Sequence, residues 1–415
     1  MGLTGESLKT TYASARRHPK MTLVVLAFVA FISLGLPDGL LGVAWPSIRA
    51  SFAIPLDAVG WLLAAGVVGY LASSFLSGPL TARLGVGKVL AVSCAMTGAS
   101  LIGYTLAPVW WMIVLLGVVV GLGAGAIDAG LNAYVASHFG ERLMQWLHAS
   151  YGIGATLGPV IMTSTLTLVH SWRVGYGVVG GFQLALAACF VMTLPIWNRE
   201  EQADGSEQPK HLTDYKTPLG ETLRQPKVWL GMALFFVYTG SEFALGIWAY
   251  TLLVESRGIN PEVAGFWVGS YWATFTVGRI VAGVFAKRMG ANLLVFGSLI
   301  AALIGTVLLW WNPVSEANLI AVAMIGFAIA PIFPALMSGT SQRVGVHFAA
   351  NTIGMQIAAG GLGSATIPSV VGMLARRISL EAIPVCLMVL FAGLLVLHVI
   401  AIGLTPLYIH RRESH

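Results

Sequence analysis

Asp128 and Asn132 stand four residues apart inside Trp110–Ser137, a stretch otherwise apolar enough to be surrounded by hydrocarbon. On a helix Gly117, Gly121, Gly125, Asp128 and Asn132 form one stripe, because they fall at i, i+4, i+8, i+11 and i+15. Small residues let a second helix approach closely, and the polar residues then face protein or a water-filled cavity instead of lipid. The glycines alone would make a packing seam. An ionisable group at that depth is costly, however, and marks an ion or proton pathway by default.

Two further acids fit the same chemistry. Asp38 lies between Pro37 and Gly39, where a break in the helix is expected and freed carbonyls would open to a cavity. Glu242 sits in a similar apolar run and either handles a proton or pairs with a base such as Arg279. Arg279 itself, about two turns inside the membrane, reads as a pairing or snorkelling residue near a gate. His148 and Tyr151 share one helical turn and offer an imidazole and a phenol for proton or solute contacts. Gln356 and Asn351 add amides that suit the mixed donors and acceptors of a polyhydroxylated solute. Trp45, Trp248, Trp267, Tyr271 and Trp272 supply faces on which a sugar ring could stack, whereas Trp110-Trp111 and Trp310-Trp311 lie at span ends and read as interfacial belt.

The elements that must position these groups are set by composition. Of 415 residues 57% are hydrophobic and 10% charged, where soluble domains carry about 25% charged residues. Twelve runs are long enough to cross a bilayer: Met21–Ser47, Leu56–Leu80, Lys88–Ala107, Trp110–Ser137, Leu143–His170, Val174–Trp197, Lys227–Val254, Pro261–Ala286, Ala291–Trp311, Ala317–Ser341, Phe348–Leu374 and Leu380–Tyr408. The chain is therefore expected to be an all-α integral membrane protein. An even number of spans puts both termini on one side, which would hold seventeen Lys and Arg against five on the other. The positive-inside rule makes that side cytoplasmic, in a bacterial-type inner membrane. The net charge of +6 is this asymmetry and not a nucleic-acid footprint. No cleavable signal is expected before the first span, and Cys94, Cys189 and Cys386, all within spans and far apart in sequence, imply no disulfide or metal framework.

Asn198–Pro226, polar and of mixed charge, reads as a cytoplasmic linker with a short interfacial helix at Leu219–Leu223. It divides the chain into residues 1–197 and 227–415, and the two parts repeat. Asp38-x-x-Leu41-Gly42 matches Glu242-x-x-Leu245-Gly246, and Gly152-x-Gly154 with Pro159 matches Gly361-x-Gly363 with Pro368. Gly78-Pro-Leu-Thr-Ala-Arg83-Leu-Gly85 matches Gly283-Val-Phe-Ala-Lys-Arg288-Met-Gly290. Three matches at nearly constant offset predict two homologous six-helix bundles about an axis along the membrane normal, with a solute site near the midplane between them. Equal spacing fixes equal helical phase, so Asp38 and Glu242 should each face the other half.

The twelve spans, the central loop and the Gly-x-x-x-x-Arg-x-Gly loop with Lys88 behind it resemble the major facilitator superfamily over the whole chain. The acid usual before that arginine is Ala82 here and Lys287 in the second copy, so a gating salt bridge built on it is not expected; Arg83, Lys88 and Arg288 remain as gating or structural residues. Gly35-Leu-Pro-Asp38-Gly, Gly123-Ala-Gly-Ala-Ile-Asp128-Ala-Gly-Leu-Asn132 and Trp146-Leu-His148-Ala-Ser-Tyr151-Gly-Ile-Gly154 are similar to the fucose-permease-like branch, which includes proton-coupled fucose and sodium-dependent glucose carriers.

The resemblance implies secondary transport, with proton-coupled symport of a monosaccharide-like solute expected first and efflux or drug:proton antiport second. Asp128, Asp38 and Glu242 would couple the proton, and Asn132, His148, Tyr151, Gln356, Trp45, Trp248, Trp272 and Asn351 would contact solute. Sodium is the alternative coupling ion. No enzyme signature or large soluble output domain is present, and no cofactor is expected. A monomer in the bilayer is the expected state.

Overall fold

The computed structural model describes residues 21–138, 141–203 and 217–403. Its helices are α1 (Met21–Phe52), α2 (Val59–Leu84), α3 (Val86–Leu106), α4 (Trp110–His138), α5 (Glu141–Val169), α6 (Trp172–Ala203), α7 (Leu219–Leu223), α8 (Pro226–Thr251), α9 (Pro261–Met289), α10 (Ala291–Trp311), α11 (Ala317–Ile329), α12 (Ile332–Ser338), α13 (Thr340–Val344), α14 (Val346–Arg377) and α15 (Ala382–Gly403). Among the described residues eleven helical stretches are long and apolar enough to cross a bilayer. The eighth expected span, α9, is not among them although it runs 29 residues; Glu262, Arg279, Lys287 and Arg288 interrupt its apolar character.

The repeat is visible in the packing. In the first half α1 packs on α5, α2 on α4 and α3 on α6; in the second the equivalent pairs are α8 on α14, α9 on α11 and α10 on α15. Between halves α1 meets α8, α2 meets α14 and α5 meets α9. Exchanging the halves maps each of these contacts onto itself or its counterpart, as a two-fold axis requires. Local geometry agrees: a Cβ on Gly154 would lie 1.9 Å from the Ile32 carbonyl oxygen and one on Gly363 2.0 Å from that of Phe236, so matched glycines seat on matched backbone. Gly85 and Gly290 turn with φ of 81° and 76° between consecutive spans, a left-handed conformation that a side chain would strain. The side chains of Ala82, Lys287 and Arg288 lie outside the described residues; Arg83 and Lys88 are exposed.

Three expectations about helix continuity change. The break at Pro37 does not occur, and α1 runs through it. Proline cannot donate to the carbonyl four residues back, and that oxygen, on Ser33, accepts instead from Gln183 Nε2 of α6 at 3.0 Å. The tenth span is the one that breaks, into α11, α12 and α13, around Ala330-Pro331 and Gly339. The sixth helix continues to Ala203, because Asn198–Ala203 contains good helix formers. The linker helix α7 forms as expected. Nearby, Thr217 Oγ1 donates to the His347 carbonyl at 2.6 Å and ties the linker to α14.

Candidate functional site

The glycine stripe of α4 brings α2 against it. A Cβ on Gly121 would sit 2.0 Å from the Gly66 oxygen, and one on Gly125 2.3 Å from the Tyr70 oxygen. At that separation the next polar residue of the stripe is within reach of the α2 side chains. Tyr70 Oη donates to Asp128 Oδ2, and Asn132 Nδ2 donates to Asp128 Oδ1 at 2.8 Å. Both carboxylate oxygens are thus held by donors. Tyr70 was not expected from the sequence, although its position four residues after Gly66 places it on the seam-facing side of α2.

The second acid is built in the same way. Gly35 and Gly39 of α1 lie so close to α5 that Cβ atoms there would fall 2.1 Å from the Tyr151 oxygen and 2.3 Å from the Ala155 oxygen. Tyr151 Oη then reaches Asp38 Oδ2 at 2.6 Å. His148, one turn before Tyr151, stands edge-on to Phe31 with ring centroids 5.5 Å apart and lies within the electrostatic reach of Asp128 and Arg279.

Across the interface Glu242 is 4% exposed, attracted by Arg279 and repelled by Asp38. Tyr271 Oη donates to the Glu242 main-chain oxygen at 2.9 Å, and Tyr238 Oη, on the same helix as Glu242, to that of Ile329 at 3.1 Å. Arg279 lies 4.3 Å over the Phe275 ring. It makes no ion pair among the described residues, and its Nε is buried without a hydrogen-bond partner. The two halves differ at one point that matters here. In the repeat Tyr151 corresponds to Gly360, so no phenol reaches Glu242 from α14.

Asp38, Tyr151, Tyr70, Asp128, Asn132 and His148 from the first half therefore cluster with Glu242 and Arg279 from the second. Other candidates sit elsewhere. Gln356 is buried inside the second half, where its Oε1 accepts from Thr340 at 3.0 Å. Asn351 donates to Thr217 and Thr222 near the linker. Trp45 and Trp248 are fully buried, with their indole N–H groups given to the Leu56 and Pro368 carbonyls. Trp272 is buried against Gly246 and Phe243.

On the face where α1 and α8 end, two ion pairs tie the halves together: Arg49 Nη2 to Glu255 Oε2 at 2.5 Å, and Arg376 Nη1 to Asp57 Oδ1 at 3.1 Å. A third charged group there, Arg257, stays within the second half. It binds Glu381 at 2.7 Å and also Asn318.

Comparisons with known proteins fit this architecture. The chain is 23% identical over 423 residues to bypass of stop codon protein 6 of Saccharomyces cerevisiae, covering 94% of this chain and 84% of the yeast protein. It is 22% identical to human sodium-dependent glucose transporter 1, over 83% of this chain and 72% of that one. A crystal structure of the nucleoside transporter NupG (D323A mutant) superposes with a TM-score of 0.74 at 13% identity, covering 93% of this chain and all of the other, which shows a shared fold. The family model for the Major Facilitator Superfamily matches residues 23–368. Two six-helix halves repeated about a central polar cluster, and a match over most of the length, make this chain a member of the Major Facilitator Superfamily, a multi-pass membrane transporter.

Proposed function

We propose that the protein is a proton-coupled symporter of a small, monosaccharide-like polar solute, which it carries by alternating access between its halves. The observation that supports this reading most is the setting of Asp128. Both of its partners, Tyr70 and Asn132, donate to it. Such a donor set suits a carboxylate with no metal ion on it, since a proton taken up there would displace a donor, whereas a sodium ion needs several oxygen acceptors converging on one point. The human relative's name includes sodium dependence, so the coupling ion must be tested directly.

The mechanism follows from what each group can do. Protonation of Asp128 removes the charge that Tyr70 and Asn132 stabilise and frees their donors for solute. Asp38 with Tyr151, and Glu242 with Arg279, present acceptors and donors from opposite halves, so one bound solute can bridge both. Unpaired polar groups left by a solute lacking the matching hydroxyls would disfavour it. The division at residues 198–226 and cytoplasmic termini belong to the same proposal, with the basic-residue asymmetry as their support.

The test is Asp128→Asn in proteoliposomes. Solute accumulation driven by a pH gradient should be lost, while counterflow exchange, which needs no change of protonation, persists. Accumulation driven by a sodium gradient at constant pH, or wild-type proton dependence in the variant, would refute the proposal. Uptake only of lipophilic cations would move the protein to the efflux class.

A further inference from the structure

The seam between α5 and α9 joins the halves in a fixed register. A Cβ on Gly152 would lie 2.1 Å from Thr276 Oγ1, and one on Gly265 1.9 Å from Thr163 Oγ1. Eleven residues separate the two positions on each helix, about three turns, so both contacts lie on one face of each helix and the helices run antiparallel. One turn beyond Gly152 on α5 stands His148, and one turn beyond Thr276 in the same direction on α9 stands Arg279. The seam therefore sets an imidazole of the first half level with a guanidinium of the second, and the field of Arg279 reaches the ring.

These two side chains differ from the rest of the central cluster in what they lack. Each acid has a tyrosine: Tyr151 for Asp38, Tyr70 for Asp128 and Tyr238 for Glu242. Asn132 adds a second donor to Asp128. Arg279 carries five N–H donors, and among the described residues it has neither a hydrogen bond nor an ion pair; it rests on the Phe275 ring, 4.3 Å away. Glu242 attracts it without bonding to it. Its Nε is buried, but its two Nη atoms are neither bonded nor sealed off, and the same holds for both ring nitrogens of His148. A ligand atom can reach them.

We propose that His148 and Arg279 together bind a carboxylate on the transported solute, which makes that solute a sugar acid, such as a hexuronate or an aldonate. The inference rests on the reading of the central cluster as the solute site. A planar guanidinium offers a carboxylate two parallel N–H bonds, and an imidazole N–H from the facing half adds a third. The hydroxyl end of the same solute meets Asp38 with Tyr151 and Glu242 with Tyr238, which accept and donate. Charge then accounts for the coupling. An anion entering a cluster of three acids is repelled, and one proton taken up with it at Asp128 cancels the charge it brings. Solute and proton enter as a neutral pair, whereas either alone changes the net charge of a site poorly solvated by water. Because the two donors come from opposite halves, the carboxylate bridges the interface that alternating access must rearrange.

The test uses full-length protein in detergent at fixed pH and fixed sodium, with unfolding followed by tryptophan fluorescence. Glucuronate, galacturonate and gluconate are titrated alongside glucose and galactose. At least one acid should raise Tm saturably, with an apparent affinity about tenfold or more above that of either hexose. In Arg279→Gln that preference should fall to about threefold or less, and Arg279→Lys, which keeps the charge without the planar fork, should retain part of it. If Arg279→Gln folds poorly, His148→Asn decides the matter, and there the preference should drop by about threefold or more. Hexoses bound as tightly as the acids, no response to any acid, or a preference unchanged in both Arg279→Gln and His148→Asn overturns the site. Failure of the two readings is separable. Hexose binding with pH-driven hexose accumulation removes the carboxylate site and leaves proton coupling standing, whereas acid binding without pH-driven accumulation of the acid does the reverse.

Discussion

Gly42 of α1 and Gly246 of α8 meet where the first helices of the two halves cross: a Cβ on Gly42 would lie 2.3 Å from the Gly246 carbonyl oxygen. Each glycine stands four residues after an acid of the central cluster, Asp38 and Glu242. The crossing therefore fixes both acids at one level and one turn to the same side of the contact, about 6 Å of helix rise away.

Gly42→Val should force α1 and α8 apart. Overpacking of this kind costs about 1–3 kcal/mol, so a drop in Tm of several degrees and loss of most transport are expected. Gly393→Val, at a position where a Cβ meets nothing within 4 Å, should change neither. Thermal unfolding and uptake measured on both variants check this.

Tyr70→Phe removes one of the two donors to Asp128, and Tyr151→Phe removes the phenol that reaches Asp38. Loss of one partner from a buried polar pair costs about 1–3 kcal/mol. We expect the pH at which uptake is half-maximal to move in Tyr70→Phe with Tm lowered by a few degrees, and solute affinity to fall about tenfold in Tyr151→Phe. Unchanged pH profile and affinity in both would place the working groups elsewhere.

Glu255→Gln with Asp57→Asn breaks both ion pairs that tie the halves on the far face. Partly exposed pairs are worth about 0.2–1 kcal/mol each, so breaking both should shift the population toward a far-face-open state by about two-fold to thirty-fold. Distances between spin labels on α1 and α8 near Phe52 and Arg257 would report it. A distance distribution identical to wild type would show that these pairs do not hold that face shut.

The hydrogen bond from Arg257 holds the Glu381 carboxyl below the usual carboxylate range. A depressed folded-state value contributes stability that is present above the unfolded value of about 4.3 and is lost as pH falls through the folded one. The Tm difference between wild type and Glu381→Gln should accordingly be constant from pH 7 to about 5 and shrink below about pH 4. Because Glu381 is partly exposed, the difference should be small, on the order of 1 kcal/mol or less.

The helices and their duplication were legible because both leave local marks: apolar length for a span, and Asp38-x-x-Leu41-Gly42 against Glu242-x-x-Leu245-Gly246 for the repeat. The stripe of α4 was legible too, since glycine spacing on one helix specifies a face. What faced it was not. Tyr70 comes from another helix, and only the α2–α4 contact brings it to Asp128. Pro37 was misread for the same reason, because the donor that replaces its missing N–H, Gln183, is 150 residues from Ser33. Trp45 and Trp248 could not be told from ring-stacking residues by type alone. Each finds a carbonyl for its N–H inside the packed core, and indole burial looks the same in sequence whichever side it serves. Gln356 likewise meets Thr340 only because the tenth span breaks.

A duplicated fold with strict two-fold symmetry would offer any ligand lying on its axis two equivalent poses, end for end. Tyr151 opposite Gly360 removes that degeneracy, because the phenol on Asp38 comes from α5, whereas the one that bonds Glu242, Tyr238, comes from the acid's own helix. A solute on the axis then has one preferred polarity, with a distinct head and tail. Regiochemistry follows from this single mismatch: epimers that differ only at the end turned toward Tyr151 should be sorted more sharply than those that differ at the end turned toward Gly360.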